Sequence, residues 1–519
     1  MTTSSLDPLE LSVLAHSVAM VAEEMGAVLV RSALSPNIRE RRDASSAIFD
    51  REGRMIAQAA HIPVHLGAMP ESVAAVRARK PNPGDVFLLN DPYHGGSHLP
   101  DLTLVEAVEI DGVIGGYTAV RAHHADVGGM SPGSMPQGAT ELVQEGLIVP
   151  PVRLVRAGAL DDELLEFVLA NVRTPAERRG DLGAQLAACA TGASGWRALA
   201  TRLGMAKLDA ACDALLDYAE RRVRARLAPL EGRTGRAIDR LEGDGVTDAD
   251  IDVVVALRVE RGMLHLDFAG SAPQVAGNVN CPAAVTRAAA VFALRTLLDD
   301  DVPTNEGIAR AITLALPARS AVNAAWPAAV AAGNVEMSQR IADTILAAFG
   351  DAGVDVAAQG QGTMNNVTFG GAGWTFYETL GGGQGASARG AGPSGVHVGM
   401  SNTLNTPIES LERSTPLRID QYAVRDGSGG RGANNGGTGV VRAYRATASC
   451  TVTLLTERRR HAPRGVAGGG DGAPGRNLLN GEPLPAKCRV ALNAGDVVTI
   501  ETPGGGGFGA PIRVSEGTV

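Results

Sequence analysis

Apolar residues first recur at Leu11, Leu14, Val18, Val21, Met25 and Val28, in alternating steps of three and four. That spacing lays one stripe along a helix. Asp7 can cap it, Pro8 suits the first helical position, and Glu10 completes a capping-box pattern. The helix should end before Pro36. From about Ala44 to Pro151 short apolar runs replace this stripe: 46–49, 86–89, 102–105 and 113–120. Turn residues at 50–53 and 111–112 separate them, so they read as strands and hairpins.

The pattern returns to helix between about 160 and 230. Thr174-Pro175 followed by Glu177 repeats the cap-and-proline start, and 205–227 is rich in Ala, Leu, Arg and Glu. After Thr247 the chain alternates again, at 251–257 and 263–268 around a turn at Gly262. Helices follow at about 281–298 and 337–349. The last third is dense in glycine, which implies tight turns and close approach of backbone to backbone or ligand. There is no repeat of fixed period. The expected fold class is α+β: mixed sheets with an N-terminal helix, a central helical segment and a glycine-rich, β-dominated C-terminal part. The expected division is 1–160, 161–245 and 246–519.

Composition narrows the function. Aromatics are 3 % of residues and the net charge is −9. A nucleic-acid binder would want a basic face and stacking platforms, so that class is disfavoured. The five cysteines, Cys189, Cys212, Cys281, Cys450 and Cys488, are odd in number and far apart, which favours small buried residues in a reducing cytoplasm. Residues 1–7 lack a basic region followed by an apolar run, so no secretory signal is expected. No run is expected to reach the roughly 20 apolar residues of a membrane span.

The candidate chemistry sits in Asn90-Asp91-Pro92-Tyr93-His94-Gly95-Gly96-Ser97-His98-Leu99-Pro100-Asp101 and in His123-His124-Ala125-Asp126. Imidazoles and carboxylates among glycines and prolines suit a divalent ion such as zinc, manganese or iron. Pro100 places the His98/Asp101 pair on a turn. If 120–123 continues a strand, His123 and His124 point to opposite faces, so one should be a ligand. Strand geometry does not choose between them. Asp43 alone reads first as a turn or capping aspartate, and His61 and His65 as ordinary hydrogen-bonded residues near the pocket. Gly383-Gln384-Gly385-Ala386-Ser387-Ala388 fits a dinucleotide fingerprint, but the following Arg389-Gly390-Ala391-Gly392-Pro393 cannot open the helix that the pyrophosphate needs.

Several segments together resemble the hydantoinase B/oxoprolinase family along nearly the whole chain. They are Arg41-Arg42-Asp43, His61 to Met69, Asn90 to Asp101, His123 to Gly129, Gly180-Asp181-Leu182 with Gln185, Gly333-Asn334-Val335-Glu336, Asn402 to Glu409 and Thr502 to Gly509. The resemblance implies a divalent metal held by Asp43, His98, Asp101 and His123, the last chosen over His124 by the family's spacing. It also implies a partner, a hydantoinase A-type ATP-binding subunit that phosphorylates the amide oxygen, and hence a hetero-oligomer. ATP would bind that partner; this chain has no Gly-x-x-x-x-Gly-Lys-Ser/Thr loop. The activity implied is ATP-driven hydrolysis of a small cyclic amide (a hydantoin or a lactam such as 5-oxoproline) by metal-activated water. His124 or Asp126 is expected to shuttle a proton. The alternative is a subunit of an acetone- or acetophenone-type ketone carboxylase. Ala391 stands where the family suggests an acid, and Asn434-Asn435-Gly436-Gly437 replaces an expected Arg-Gly-Gly, so specificity could depart from the archetype.

Overall fold

The computed structural model describes residues 7–511. Most of the segment examined for a secretory signal, residues 1–6, lies outside them. The fold is α+β, with four sheets among the described residues. The first helix, α1 (Pro8–Ser32), begins as expected: Asp7 accepts the N–H of Leu9 at 3.2 Å. Glu10 does not close a capping box; it pairs with Lys207 at 3.0 Å.

One expectation is corrected here. By length and composition α1 does reach the requirement for a membrane span. Its stripe Leu14, Val18, Val21, Met25 and Leu29 is nevertheless buried within this chain, against the first sheet and a long central helix.

The first sheet carries the site. Its strands are β1 (Ala44–Phe49), β2 (Met55–Ala60), β3 (Val86–Leu89), β4 (Asp101–Ile110), β5 (Val113–His123), β6 (Val152–Arg156) and β7 (Ala159–Leu160). They lie in the order β2-β1-β5-β4-β3-β6-β7, antiparallel throughout. One face, including Leu102, Leu104, Val120 and Ala122, meets α1 and the central helix α2 (Pro175–Leu203). Small residues let these layers close. A Cβ on Gly192 of α2 would lie 2.4 Å from the Met25 sulfur and 2.9 Å from Thr118. The other face packs in part on the helix Met69–Ala78, which the apolar pattern did not announce.

The central helices α2 and α3 (Met205–Leu227) end near residue 230 as expected, but strand structure begins earlier than expected. The chain already forms a strand at Thr234–Glu242, before Thr247. That strand joins Asp250–Glu260, Met263–Asp267 and Ile312–Ala315 in the second sheet, whose last pair is parallel. The helices Ala283–Arg295 and Ser338–Asp351 share a core with it, close to where sequence placed them. Two further antiparallel sheets complete the C-terminal part. All five cysteines are free and buried.

Candidate metal centre

Antiparallel register builds the centre. Asp101 opens β4, His123 closes β5, and the two residues are direct partners across the ladder. The turn before β4 supplies His98: the Asp101 N–H donates to the His98 carbonyl at 3.1 Å. Asn90 holds this loop shut, donating to the Leu99 and Leu147 carbonyls at 2.7 and 2.9 Å and accepting from the Val149 N–H at 2.7 Å. Gly96 is obligatory in it, because a Cβ there would stand 2.1 Å from the Asn90 carbonyl oxygen.

His98, Asp101 and His123 each present one ligand atom, and these atoms lie within 4.8 Å of one another. All three side chains are buried. The Asp101 Oδ1 is 3.0 Å from His98 Nε2 and 3.2 Å from His123 Nδ1, and the two nitrogens are 3.2 Å apart. His98 Nδ1 faces the Ala331 carbonyl at 3.1 Å, a group that can only accept. With Nδ1 carrying the proton, neutral His98 directs a lone pair from Nε2 at a carboxylate oxygen. Two such lone pairs at 3.0 Å need a cation between them, either a proton or a metal ion. The donor set, two imidazoles and one carboxylate with an outer carbonyl fixing one ring, fits a divalent ion of the zinc type.

Electrostatics agree with this geometry. Burial works against the charged form of Asp101, but His98 and His65 beside it hold its carboxyl well below the usual range. Burial also disfavours charged His98, yet the Asp101 charge raises its pKa overall. Burial lowers that of His123, keeping its ring neutral. The second Asp101 oxygen is held by Ser97 Oγ at 2.8 Å and His65 Nε2 at 3.2 Å, with the Asn334 amide at 3.4 Å. Tyr377 stacks on His123 with ring centres 4.5 Å apart, and the Arg41 guanidinium lies 5.1 Å from the Tyr377 ring.

The structure therefore brings together three of the four residues expected to hold a metal. Asp43 is buried beside them and its carbonyl accepts the His123 N–H at 3.0 Å. Its carboxylate lies outside the three-residue group and 4.0 Å from the Arg41 guanidinium. The expected proton shuttles are elsewhere. His124 faces α2, its Nε2 donating to the Gln185 Oε1 at 2.9 Å. Burial, aided by Arg178, lowers its pKa to about 4. The Asp126 carboxylate accepts backbone N–H groups of Gly128, Gly133 and Arg173 and pairs with the Arg173 guanidinium at 2.9 Å. Strand alternation explains the His124 result: the residue after His123 must leave the ligand face. Replacing His124 with asparagine is expected to cost about 1–3 kcal/mol of stability and to leave metal content unchanged, as a denaturant titration paired with elemental analysis would show.

Sequence reasoning passed over His65 as an ordinary residue and missed Tyr377 and Asn334 as neighbours of the centre. Asn334 and Glu336 lie on a π-helical turn, Gly333–Met337. Glu336 Oε1 accepts from Thr363, Met364 and Asn366, and burial pushes its carboxyl up to about 7 from an ordinary 4.5. Between those values the folded chain keeps a proton that the unfolded chain has lost. Stability should thus fall as pH rises through that window, by up to roughly 3 kcal/mol. Glu336→Gln should flatten this slope in urea midpoints compared at about pH 5 and pH 7.5.

A buried centre of two histidines and one aspartate, set on an antiparallel sheet of an α+β fold, defines the class of site. The family profile of hydantoinase B/oxoprolinase matches residues 7–511, and the chain belongs to that family. It is 37 % identical to 5-oxoprolinase 1 of Arabidopsis thaliana over 98 % of this chain and 42 % of that protein. It therefore spans about two-fifths of the length of that relative. A protein of Pseudomonas sp. described as a putative D-/L-hydantoinase B-type subunit is 28 % identical over 98 % of this chain and 91 % of its own. The crystal structure of an ATP-dependent caprolactamase from Pseudomonas jessenii superposes with a TM-score of 0.91 at 27 % identity, covering 98 % of this chain and 92 % of that one. The nucleotide-free acetone carboxylase structure shares the fold at a TM-score of 0.87 and 17 % identity, over 98 % and 76 % of the respective chains.

Proposed function

We propose that this chain is the metal-dependent, hydantoinase B-type component of an ATP-driven amidohydrolase acting on small cyclic amides. The observation that carries the reading is the buried convergence of His98 Nε2, Asp101 Oδ1 and His123 Nδ1 in a hydantoinase B/oxoprolinase chain. The relatives named for 5-oxoproline, hydantoin and caprolactam share one substrate chemistry, a ring amide. The Pseudomonas relative is named as one subunit of a larger enzyme, which supports a second component. We assign that component as the A-type subunit that binds ATP and activates the amide oxygen. The free, buried cysteines accord with a reducing cytoplasm.

A ring amide is resonance-stabilised and resists water. A bound divalent ion supplies a lowered water pKa and polarisation of an oxygen at the scissile carbon. His98, Asp101 and His123 would hold that ion, and Asp43 adds negative charge next to the two imidazoles. Ser97, His65 and Asn334 fix the Asp101 carboxylate by its second oxygen. Tyr377 walls the centre on the His123 side and excludes bulk water, which strengthens every charge interaction inside.

The test is reconstitution. The chain, purified with a co-expressed A-type subunit, is given ATP and a panel of 5-oxoproline, hydantoin and caprolactam in H₂¹⁸O. Ring opening that needs both subunits and ATP, with label in the new carboxylate, is expected. Carboxylation of acetone or acetophenone from bicarbonate, with no ring opening, would instead establish the ketone-carboxylase alternative.

A further inference from the structure

The centre is braced by a segment more than two hundred residues away in sequence. Residues 328–334 pass behind it as a strap that runs into the π-helical turn. The Tyr93 hydroxyl donates to the Ala328 carbonyl at 2.8 Å, and Asn280 to the Ala329 carbonyl at 3.3 Å. The Ala331 carbonyl meets His98 Nδ1, and Asn334 reaches Asp101. One strap thus touches two of the three converging side chains. A Cβ on Gly333 would stand 1.8 Å from the Asn280 carbonyl oxygen, so the strap is seated directly on backbone.

Glu145 fastens the middle of this strap. It is fully buried, and its carboxyl oxygens accept the Val330 N–H at 3.0 and 3.1 Å and the Ala331 N–H at 2.8 Å. No lysine, arginine or histidine pairs with it among the described residues. Its oxygens are therefore committed to two consecutive peptide N–H groups, and the second of those residues offers its carbonyl to His98. Burial without a cationic partner pushes its carboxyl up to about 8, so near neutral pH it is held mainly as the neutral acid, and its Oε1 still accepts both N–H groups.

We propose that Glu145 is a positioning residue for the metal centre, acting through the Val330–Ala331 turn to place the carbonyl that sets the His98 tautomer. By holding the proton on Nδ1, it leaves the Nε2 lone pair for the ion. This inference rests on the metal-centre reading. Its test has one arm that needs the ion and one that does not.

The first arm measures zinc affinity of the purified chain by chelator competition, for Glu145→Asp, Glu145→Gln and the structural control His124→Asn. Glu145→Asp keeps the carboxyl group but is one methylene short of the strap, and is expected to weaken zinc binding by about 10–100-fold, as loss of an outer-shell partner does. Glu145→Gln retains an oxygen that both N–H groups reach, and is expected to stay within a few-fold of wild type. Wild-type affinity in a folded Glu145→Asp chain would overturn the proposal. So would an equal loss in His124→Asn, since affinity would then merely track stability.

The second arm uses metal-free chain labelled with ¹⁵N-histidine. The hydrogen-bonded Nδ1 proton of His98 should be resolved in wild type and in Glu145→Gln, and lost or exchange-broadened in Glu145→Asp. An unchanged Nδ1 proton in Glu145→Asp would overturn the proposal without reference to zinc. Failure of the wild-type chain to bind zinc, with the Nδ1 effect intact, would instead count against the metal reading alone.

Discussion

Asp101→Ala should abolish metal binding and, with it, ATP-coupled ring opening. No other single change is expected to cost the activity more. Asp101 is the one carboxylate in the converging group, and its Oδ1 faces both imidazole nitrogens at 3.0 and 3.2 Å. Its Oδ2 also gathers Ser97, His65 and Asn334, so the same side chain orders the groups around the ion. Losing an outer-shell partner costs roughly 10–100-fold in affinity or activity, and losing this ligand should exceed that. Asp101→Asn preserves the shape and removes the charge, so it should lose the ion as well. Elemental analysis of the purified variants reads the effect directly. A full complement of metal in Asp101→Ala would refute the assignment of this residue.

Gly505→Ala should be the most damaging change to stability. A Cβ at 505 would stand 2.1 Å from the Gln384 carbonyl oxygen. Its surroundings cannot yield, because they too are glycine backbone: a Cβ on Gly436 would lie 2.0 Å from the Gly505 oxygen, and one on Gly383 would lie 2.0 Å from the Gly437 oxygen. Loops from 383–392, 428–437 and 504–507 therefore lie backbone on backbone, joined by bonds such as Gly505 N to the Gly437 carbonyl at 2.9 Å. Separating them should cost on the order of 4–5 kcal/mol or more, the range of exceptional substitutions. Gly390→Ala is the matched control. Nothing stands within 4 Å of its Cβ position, and its φ is not in the left-handed region. That change should be neutral or gain up to about 1 kcal/mol through the unfolded chain. Urea unfolding of the two variants side by side decides the matter; equal midpoints would show that the glycine layer tolerates side chains.

These outcomes mark how far the residues spoke for themselves. The stripe Leu14 to Met25 predicted α1, and alternation at 102–105 and 113–120 predicted the pair β4 and β5, because local periodicity reports which face will be buried. His98 and Asp101 were also legible, since a histidine and an aspartate around Pro100 are a local pattern, while His123 came from the family's spacing. On physical grounds His124 separates from His123 only with the strand seen to run through residue 123. Asp126 looked like chemistry and proved to be a loop anchor, because the peptide N–H groups that saturate it come from three separate positions. Tyr377 and Glu145 carried no local signal, and Asn334 only its place in the family-like segment 333–336, as their roles lie in contacts more than 180 residues away along the chain.

Sequence alone determined the class of elements and the His98/Asp101 pair, because periodicity, turn residues and donor chemistry are written within a few neighbouring positions, and the family resemblance added His123 together with Asp43. Only the tertiary structure decided which oxygen and nitrogen atoms face each other, that Asp43 stands beside the converging group, and which glycines must stay bare. Those facts depend on strand register and on strap and loop packing, and distances between remote segments are set by the whole core at once.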